Sequence, residues 1–396
     1  MSSAVRFGIA DQSSIRERNR AVVLDAIRAT SPTSRADVAK LVALTKPTVS
    51  TIVDELIRDG IVREIGVEHE PGVRGRPPIR IEYASRSQLV VGVNIGVQCV
   101  EVMVADGLGV GIVSRSESTA KGGPAGVISQ VLDCVESTLA AAGAGAKNLV
   151  AISVCVPGRV VAATGVCQWA PNLGWRDVAV GAPIGERFRV PVAVRNDAQA
   201  ALTAELTEGV AVGRKDVVLL YAGAGIGAAV LLGGEIYRGA SGAVGELGHS
   251  HVAGERRLCN CGRRGCLETV ASGPALERAA RAAMLPKLSR RRLSVGEVGR
   301  LARAGDERAA GVLRSVGSHL GQAAATLITL LNPEMLVFGG SLAAGGAVLF
   351  DALLATARAE TSEHSWATCE VVQSSLGPTA ELRGAVLGGL REAAIA

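Results

Sequence analysis

The chain has 396 residues, of which 48% are apolar and 20% are charged, and its formal net charge is +5. This length is typical of two or three domains, and the apolar share is ample for sizeable cores, which excludes a disordered chain. The most apolar stretch, residues 89–113, is interrupted by four polar or charged residues, and the N-terminal residues lack the apolar run of a secretory signal. We therefore expect neither a signal peptide nor a membrane span. The small positive charge does not by itself predict nucleic-acid binding.

Eight cysteines are present, and three of them lie close together between residues 259 and 266. The other five are scattered in apolar contexts: Cys99, Cys134, Cys155, Cys167 and Cys369. Disulfide frameworks belong to oxidising compartments, whereas scattered apolar cysteines suit a reducing one. We therefore expect a cytoplasmic protein.

Residues 15–60 contain three short helical patterns. The first is a supporting helix with apolar residues at Val22, Val23, Leu24 and Ile27, flanked by Arg16, Arg18 and Arg20. Ser34 is expected to cap a second helix over residues 35–42, whose inward residues are Ala39, Leu41 and Val42.

The third helix has the clearest pattern. Thr45 can cap it, Pro47 stands in its first turn, and one apolar face is formed by Val49, Ile52, Val53, Leu56 and Ile57. Because only a three-residue turn separates it from the second helix, the pair predicts a helix-turn-helix.

Two alternating segments, residues 61–65 and 79–83, predict strands that form a wing. The loop between them contains Arg74 and Arg76 next to two prolines, an extended basic segment whose arginines can enter a minor groove. An ordinary solvated linker is the alternative for this loop. We expect DNA contacts from the start of the third helix and from the wing, at Lys46, Thr48, Ser50, Thr51, Arg74 and Arg76. A winged helix that binds protein is the alternative, because residues 1–85 hold thirteen Arg and Lys against eleven Asp and Glu.

A segment rich in metal ligands spans residues 245–268. Cys259, Cys261 and Cys266 form a C-x-C-x4-C cluster, and His249 ten residues before Cys259 completes a Cys3His set for Zn²⁺. His251 competes for the fourth position, since residues two apart share a face in extended chain. Four protein ligands leave no open coordination position, so this zinc is expected to be structural.

The alternatives for these cysteines are a disulfide or reduced core thiols. Residues separated by one position rarely bridge each other, and core cysteines do not cluster among Asn260, Arg263 and Arg264. The same metal would hold Glu246 and Glu268, whose carboxylates suit hydrogen bonding to the hydroxyls of a polyol. Two solvated acids on a surface loop are the alternative for this pair.

The sequence GELGH at 245–249, followed by C-x-C-G-x-x-G-C-x-E at 259–268, resembles the signature of the ROK family, which contains sugar-responsive repressors and sugar kinases. The winged unit, including Gly75-Arg76-Pro77, is similar to the N-terminal domain of the ROK repressors, the branch that includes the xylose and N-acetylglucosamine repressors. The resemblance covers nearly all of the chain. It assigns the zinc to His249, Cys259, Cys261 and Cys266 and leaves His251 outside.

The resemblance implies an α/β fold in which an N-terminal winged helix-turn-helix is followed by a two-lobed, actin-like (ribonuclease-H-like) sugar-kinase domain. We expect the winged unit at residues 1–85, the first lobe at 86–202 and the second lobe, with the zinc loop, at 203–379. A C-terminal helix over residues 380–394 is expected to pack back on the first lobe.

The resemblance also implies a sugar site. The segments around Asn172 and around Asn196 and Asp197 look like its pieces, and Asp197 stands at the position of the kinase general base. The expected sugar-binding residues are Asn172, Asn196, Asp197, Glu246, His249 and Glu268. Without the resemblance, Asn196 and Asp197 would be interpreted as a helix N-cap.

The phosphate-binding turn departs from the kinase pattern. ROK kinases have D-x-G-G-T there, where the acid handles metal and the backbone cradles phosphates. This chain has Asn94-Ile95-Gly96-Val97-Gln98, so the acid, the second glycine and the hydroxyl are replaced. We therefore expect no kinase activity and no catalytic residue.

Together these observations predict a sugar-responsive transcriptional regulator, a repressor of carbohydrate genes that binds operator DNA and a sugar or sugar-phosphate effector. A homodimer or homotetramer is expected. An ATP-dependent sugar kinase with an attached DNA-binding domain is the alternative; Asp197 favours it and the replacements at Asn94, Val97 and Gln98 oppose it. A corepressor sequestered by another protein is a third class, for which the sequence carries no identifiable feature.

Overall fold

The computed structural model describes residues 12–67, 78–143, 146–284 and 294–395. The first unit contains helices α1 (Gln12–Thr30), α2 (Arg35–Val42) and α3 (Lys46–Arg58) and strands β1 (Thr33–Ser34), β2 (Val62–Val67) and β3 (Ile79–Tyr83). β3 lies in the middle of the small sheet and pairs antiparallel with β1 and β2. The three helices and the sheet enclose a core of their own, which includes Val23, Ile27, Val38, Val49, Ile52, Val53, Leu56 and Ile81.

The predicted starts of the second and third helices are confirmed. The Ser34 hydroxyl accepts a hydrogen bond from the Asp37 amide, and the Thr45 hydroxyl accepts one from the Thr48 amide, so each satisfies a free amide of its first turn. The inward position predicted for Leu41 is wrong, because this side chain is 61% exposed. α2 buries Val38 and Ala39, and a residue two positions beyond Ala39 lies about 200° further round a helix with 3.6 residues per turn.

A mixed five-stranded sheet follows. Its strands are β4 (Leu89–Ile95), β5 (Cys99–Asp106), β6 (Gly111–Ser118), β7 (Leu149–Val156) and β11 (Val192–Asn196). The helices of this part of the chain are α4 (Gly123–Ala141), α5 (Gly181–Phe188) and α6 (Asp197–Glu208). The strand order is β11-β7-β4-β5-β6, in which β4, β5 and β6 form an antiparallel meander and β4, β7 and β11 are parallel. A separate antiparallel sheet is formed between β7 and α5 by β8 (Arg159–Val161), β9 (Val166–Ala170) and β10 (Trp175–Ala179).

The second large sheet has the order β14-β13-β12-β15-β16. Its strands are β12 (Val217–Ala222), β13 (Ile226–Leu232), β14 (Glu235–Tyr237), β15 (Met335–Gly339) and β16 (Glu370–Gln373). The helices of this part of the chain are α7 (Glu268–Ala271), α8 (Gly273–Met284), α9 (Val295–Arg303), α10 (Glu307–Leu331), α11 (Ala347–Glu360), α12 (Glu363–Ala367) and α13 (Ala380–Ile395). Within the described ranges, none of the helices is long and apolar enough to cross a bilayer.

Helices α6 and α13 pack against each other between the two large sheets. α13 contacts β4 and β7 of the first sheet, and Gly92 allows this approach because a Cβ there would lie 2.8 Å from the Val386 nitrogen. α6 packs on the second sheet, where Leu202 joins a cluster with Val217 and Leu231. The position 202/203 predicted as the lobe boundary lies inside α6, and the lobe boundaries stay a prediction.

The winged unit is connected to the first large sheet through Tyr83. The Arg28 guanidinium of α1 lies over the Tyr83 ring at 5.1 Å and donates to Gln88 Oε1 (3.2 Å). The Tyr83 hydroxyl also donates to Gln88 Oε1 (3.1 Å). It touches the turn after β5 so closely that a Cβ on Gly107 would lie 1.8 Å from it. The chain between the units is therefore held by side-chain contacts on both sides.

Candidate functional site

A cleft of about 260 Å³ lies between the two large sheets. All six residues predicted to bind sugar line it, namely Asn172, Asn196, Asp197, Glu246, His249 and Glu268. The cleft is also lined by the turn that follows β4, the turn between β12 and β13, and the start of α13. The fold thus brings together side chains that are separated by up to almost 300 positions in the sequence.

Asp197 stands at the junction of β11 and α6. Asn196 caps α6, because its Oδ1 accepts from the Gln199 amide (3.1 Å), so the cap expected from the sequence alone is present. The Asn196 amide donates to the Gly158 carbonyl and to Asp197 Oδ1, both at 3.0 Å, and the Ala198 amide donates to the same Oδ1 (2.8 Å). These bonds fix the Asp197 carboxylate, while burial raises its pKa to about 6. Within the described residues the bonds from Asn196 and Ala198 to this carboxylate both end on Oδ1. Asp197 Oδ2 is therefore left for a ligand hydroxyl.

Glu268 and Asn172 meet on the opposite wall. Glu268 Oε2 accepts from the Asn172 amide (3.1 Å) and from the Ile226 amide (3.3 Å), and Asn172 Oδ1 accepts from the Asn260 amide (2.8 Å). Burial nevertheless raises the pKa of Glu268 above its usual range. A side chain at position 225 would displace this pair, since a Cβ there would lie 2.6 Å from Glu268 Oε2 and 2.7 Å from the Asn172 amide nitrogen.

The ligand atoms of His249, Cys259, Cys261 and Cys266 all lie within 4.8 Å of one another. His249 Nδ1 is 3.6 Å from Cys259 Sγ, and the sulfurs of Cys261 and Cys266 are 3.6 Å apart. A tetrahedral zinc with bonds of 2.0 to 2.3 Å places its ligands roughly 3.3 to 3.8 Å apart, whereas a disulfide requires about 2.05 Å. These four side chains can therefore hold one metal ion.

The loop reaches this arrangement through two left-handed glycines. Gly262 has φ +87° and Gly265 has φ +77°. Hydrogen bonds from the Cys259 amide to the Arg263 carbonyl (2.8 Å) and from the Gly262 amide to the Cys259 carbonyl (2.9 Å) close the turn. His251 lies outside the cluster and is exposed; a Cβ on Gly265 would be 2.7 Å from its ring.

His249 faces the three cysteine sulfurs with one ring nitrogen and the cleft with the other. Its Nε2 lies 3.7 Å from Glu246 Oε2, while Nδ1 faces the sulfurs. Burial, and then the charges of Asp197 and Glu268, raise the pKa of Glu246 to about 7. A metal bound by Nδ1 would orient the ring and, through Nε2, the Glu246 carboxylate.

The turn at the phosphate-binding position is occupied by internal hydrogen bonds. Asn94, buried at the end of β4, donates from Nδ2 to Glu101 Oε2 (2.9 Å) and accepts at Oδ1 from the Cys155 thiol (3.4 Å). The Gly96 amide donates to the Cys99 carbonyl (2.8 Å). The amide of Asn94 is thus already used within the protein.

Glu101 and Glu381 are cleft residues that the sequence analysis missed. Glu381, at the start of α13, is 9% exposed, and its Oε2 has no hydrogen-bond partner within the described chain. Burial, with smaller contributions from the charges of Asp197 and Glu101, raises its pKa to about 8. An acid in a helix otherwise rich in Ala, Gly and Leu was a signal that could have indicated Glu381.

The predicted DNA-contacting residues of α3 lie at its exposed end. Lys46 and Thr51 are exposed, and Thr48 and Ser50 are half-buried. The Thr48 hydroxyl is 2.7 Å from that of Thr45, so it takes part in the helix cap. Arg74 and Arg76 lie outside the described residues.

Arginines from α1 and α2 neutralise the acids on the second half of α3. Asp54 pairs with Arg35 and Asp59 with Arg20, each at 2.8 Å, and Glu55 pairs with Arg16. Lys46 forms no ion pair with the described residues. The positive charge at the start of α3 is therefore not opposed by the acids further along the helix.

Comparisons with known proteins agree with this geometry. The ROK family profile matches residues 90–388, and a profile for winged helix-turn-helix DNA-binding domains matches residues 17–63. The xylose repressor of Bacillus subtilis (strain 168) is 27% identical over 376 residues, which is 95% of this chain and 96% of the repressor.

Two solved structures are similar over long stretches. A ROK family transcriptional regulator, a homologue of the E. coli MLC protein, superposes with a TM-score of 0.79 at 27% identity and covers 96% of both chains. A ROK family glucokinase from Streptomyces griseus, in complex with glucose and AMPPNP, superposes with a TM-score of 0.70 at 28% identity and covers 76% of this chain and 99% of the kinase. The predicted α/β fold, a winged helix-turn-helix before an actin-like sugar-kinase fold, is confirmed. The chain belongs to the ROK family.

Proposed function

We propose that this protein is a sugar-responsive, DNA-binding transcriptional regulator that represses carbohydrate genes. The observation that carries this proposal is the combination, in one chain, of a winged helix-turn-helix and a cleft lined by carboxylates and amides. The xylose repressor and the MLC homologue match both parts of the chain, whereas the glucokinase matches 76% of it. A regulator works where the chromosome is, so we expect it in the cytoplasm.

The DNA-binding surface we propose is the start of α3 together with the wing. Lys46, Thr48, Ser50 and Thr51 would enter a major groove of the operator, and Arg74 and Arg76 would contact the adjacent minor groove. The exposure of Lys46 and Thr51 and the pairing of the helix acids support this orientation.

The sugar would be held by the six cleft residues. Asp197, Glu246 and Glu268 would accept bonds from its hydroxyls, and Asn172, Asn196 and His249 would orient these carboxylates or contact the sugar directly. The hydroxyl groups of a sugar pair well with such fixed carboxylates because each carboxylate oxygen can accept a hydrogen bond from a hydroxyl. This mode of sugar binding is supported by the hydrogen bonds that fix Asp197 Oδ1 and Glu268 Oε2 in the cleft.

Signal transmission would follow from cleft closure. We assign residues 1–85 to DNA binding, 86–202 with 380–394 to one lobe and 203–379 to the other, in a homodimer or homotetramer. A sugar that contacts both lobes would favour one relative orientation, and the DNA-binding units of paired chains would move with it. The sugar can change DNA affinity only by its different affinity for the two states, about 1 to 3 kcal/mol in typical cases.

The metal we propose is a structural Zn²⁺ held by His249, Cys259, Cys261 and Cys266. A soft Cys3His donor set and ligand separations of 3.6 Å support zinc, and four protein ligands would leave no position for a reacting water. The ion would fix the loop so that Glu246 and Glu268 keep their places in the cleft.

A sugar kinase is the second candidate, favoured by Asp197 and by the similarity to the glucokinase. Asn94, Val97 and Gln98 oppose it, since the amide of Asn94 is bonded to Glu101 and no acid stands at that turn. We propose that the chain has no catalytic residue and does not turn over ATP.

A gel-shift experiment with the purified full chain and the DNA upstream of the genes it neighbours tests the proposal. Sugars found by thermal shift should change the affinity for this DNA by about 5- to 150-fold, the usual range of allosteric coupling. Failure to bind DNA, combined with ATP turnover near 1 per second or faster in the presence of the bound sugar, would favour the kinase instead.

A further inference from the structure

Carboxylates are the most numerous ionisable side chains that line the cleft. Five carboxylates line it, those of Glu101, Asp197, Glu246, Glu268 and Glu381, and among the described residues that line it none is lysine or arginine. Arg159 is close enough to lower the pKa of Glu246, but its Nε donates to the Ser241 carbonyl (3.2 Å) and it does not line the cleft. A ligand in this cleft therefore meets several carboxyl groups and, among the described lining residues, no lysine or arginine.

Two of the acids form a separate end of the cleft. Asp197 is close to both ends, since its charge raises the pKa of Glu246 and that of Glu381. Glu246 lies 3.7 Å from His249 and Glu268 lies 3.8 Å from Cys259, at the end beside the possible metal ligands. Glu101 accepts from Asn94 at the end of β4, and the Cys155 thiol contacts both Asn94 and the Glu381 carbonyl, which places Glu101 and Glu381 beside the turn after β4. A sugar ring held by Asn172, Glu246 and Glu268 would direct any substituent that passes Asp197 toward Glu101 and Glu381.

Among the described residues, that far end presents no lysine or arginine to a phosphate. Glu101 holds the amide of Asn94, and the one-tenth-exposed Glu381 has an Oε2 without a partner. Protein sites for phosphate present arginine forks, lysines or several free amides, and like charges brought together in a buried site oppose binding strongly.

We propose that the cleft selects an uncharged sugar and rejects its phosphate ester, and that Glu101, joined by Glu381 when its carboxyl is ionised, is the specificity residue that repels the phosphoryl group. This inference rests on the proposed sugar-binding function and specifies its ligand class. The unpartnered Glu381 Oε2 would instead accept a bond from a hydroxyl or a water at the end of the sugar.

Matched pairs of ligands test the proposal on the full-length protein. Isothermal titration at pH 9, where Glu381, with a pKa of about 8, is mostly ionised and sugar phosphates are dianions, would compare glucose with glucose 6-phosphate, N-acetylglucosamine with its 6-phosphate, and xylose with its 5-phosphate. For the sugar that binds, we expect the phosphate ester to bind at least about tenfold more weakly, because a like charge in a buried site costs more than one power of ten in affinity.

The double variant Glu101→Gln/Glu381→Gln should narrow this ratio, since glutamine keeps the shape and an acceptor oxygen but not the charge. Glu101→Gln alone should narrow the ratio of the two affinities in part. This single variant replaces the double variant in the test if the double variant does not fold. Glu363→Gln, an exposed acid of α12 outside the cleft, is the matched control and should leave the ratio unchanged.

The outcomes separate the two proposals. A phosphate ester that binds as tightly as its parent sugar, or a ratio that the glutamine variants leave unchanged, overturns the assignment of Glu101 and Glu381 while the regulator stands. If neither member of any pair binds, the sugar-binding function itself is contradicted, and the inference falls with it.

Discussion

Replacing Glu381 by glutamine should change how the stability of the protein depends on pH. This carboxyl is buried at the start of α13 and its Oε2 has no partner, so the folded state disfavours its charged form. Its pKa is raised from the ordinary value of 4.5 to about 8, with burial as the main cause. The neighbouring acids Asp197 and Glu101 act in the same direction.

The sign follows from proton binding. Between pH 4.5 and about 8 the folded protein keeps a proton on Glu381 that the unfolded chain has lost, so stability falls as the pH rises through this window. Below the window both states are protonated, and above it both are ionised. At about 1.4 kcal/mol per pH unit, the window of about 3.5 units corresponds to roughly 5 kcal/mol of lost stability above pH 8.

Thermal melts followed by circular dichroism at pH 5, 7 and 9 measure this effect. Glu381→Gln should melt close to the unmodified protein at pH 5 and well above it at pH 9, by about 10 °C for a loss of this size in a large domain. Every other titrating group is present in both proteins, so the difference isolates Glu381, and Glu363→Gln should show no such trend. Melting temperatures that stay parallel from pH 5 to pH 9 would refute the reasoning.

Three further changes test the other parts of the proposal. Cys261→Ser should lose the metal, as measured by mass spectrometry of the purified protein, and should weaken sugar binding because the loop that carries Glu246 loosens. Lys46→Ala should weaken operator binding by about 1 to 3 kcal/mol in gel shifts if the side chain meets a base edge, whereas Lys121→Ala, an exposed lysine far along the chain, should not. Asp197→Asn should lower the affinity for the sugar in titration calorimetry. A coupled assay with ATP and Mg²⁺ should detect no turnover in this variant or in the unmodified protein.

Each of these has a contrary result. A metal-free native protein, or a Cys261→Ser variant with full sugar affinity, would contradict the structural zinc. Equal operator affinity for the Lys46 and Lys121 variants would contradict the proposal that the start of α3 contacts the bases of the operator. Turnover near 1 per second that disappears in Asp197→Asn would identify Asp197 as a general base and overturn the regulator-only reading.

Local signals in the sequence predicted most of the long elements well. Ser34 and Thr45 marked helix starts because a hydroxyl that satisfies a free amide acts within four residues, and the structure shows both caps. The apolar face of α3 was predicted for a similar reason, since Val49, Ile52, Val53 and Leu56 recur at helical spacing and are buried in the structure. The prediction that Leu41 is buried was wrong because a short helix can have two apolar faces, and only packing decides which one is buried.

The features that escaped prediction depend on contacts between distant segments. Strands β8, β9 and β10 have three to five residues each, too few to show a clear alternation. Spacing could not choose between His249 and His251, whereas in the structure the His251 ring packs against Gly265, away from the other ligands. The approach of Glu381 to Glu101 joins positions 280 residues apart, and no local pattern records such a pair.

The Tyr83 junction determines how this protein can be recombined with others. The contact between the winged unit and the first large sheet is formed by residues from four segments. These are Arg28 in α1, Tyr83 in β3, Gln88 in the segment after β3 and Gly107 in the turn after β5. A chimera that exchanges the DNA-binding unit at residue 84 would retain Gln88 and Gly107 but import a foreign partner for each. Such a hybrid would bind the new operator yet lose its response to the sugar, unless the four residues are transferred as a set.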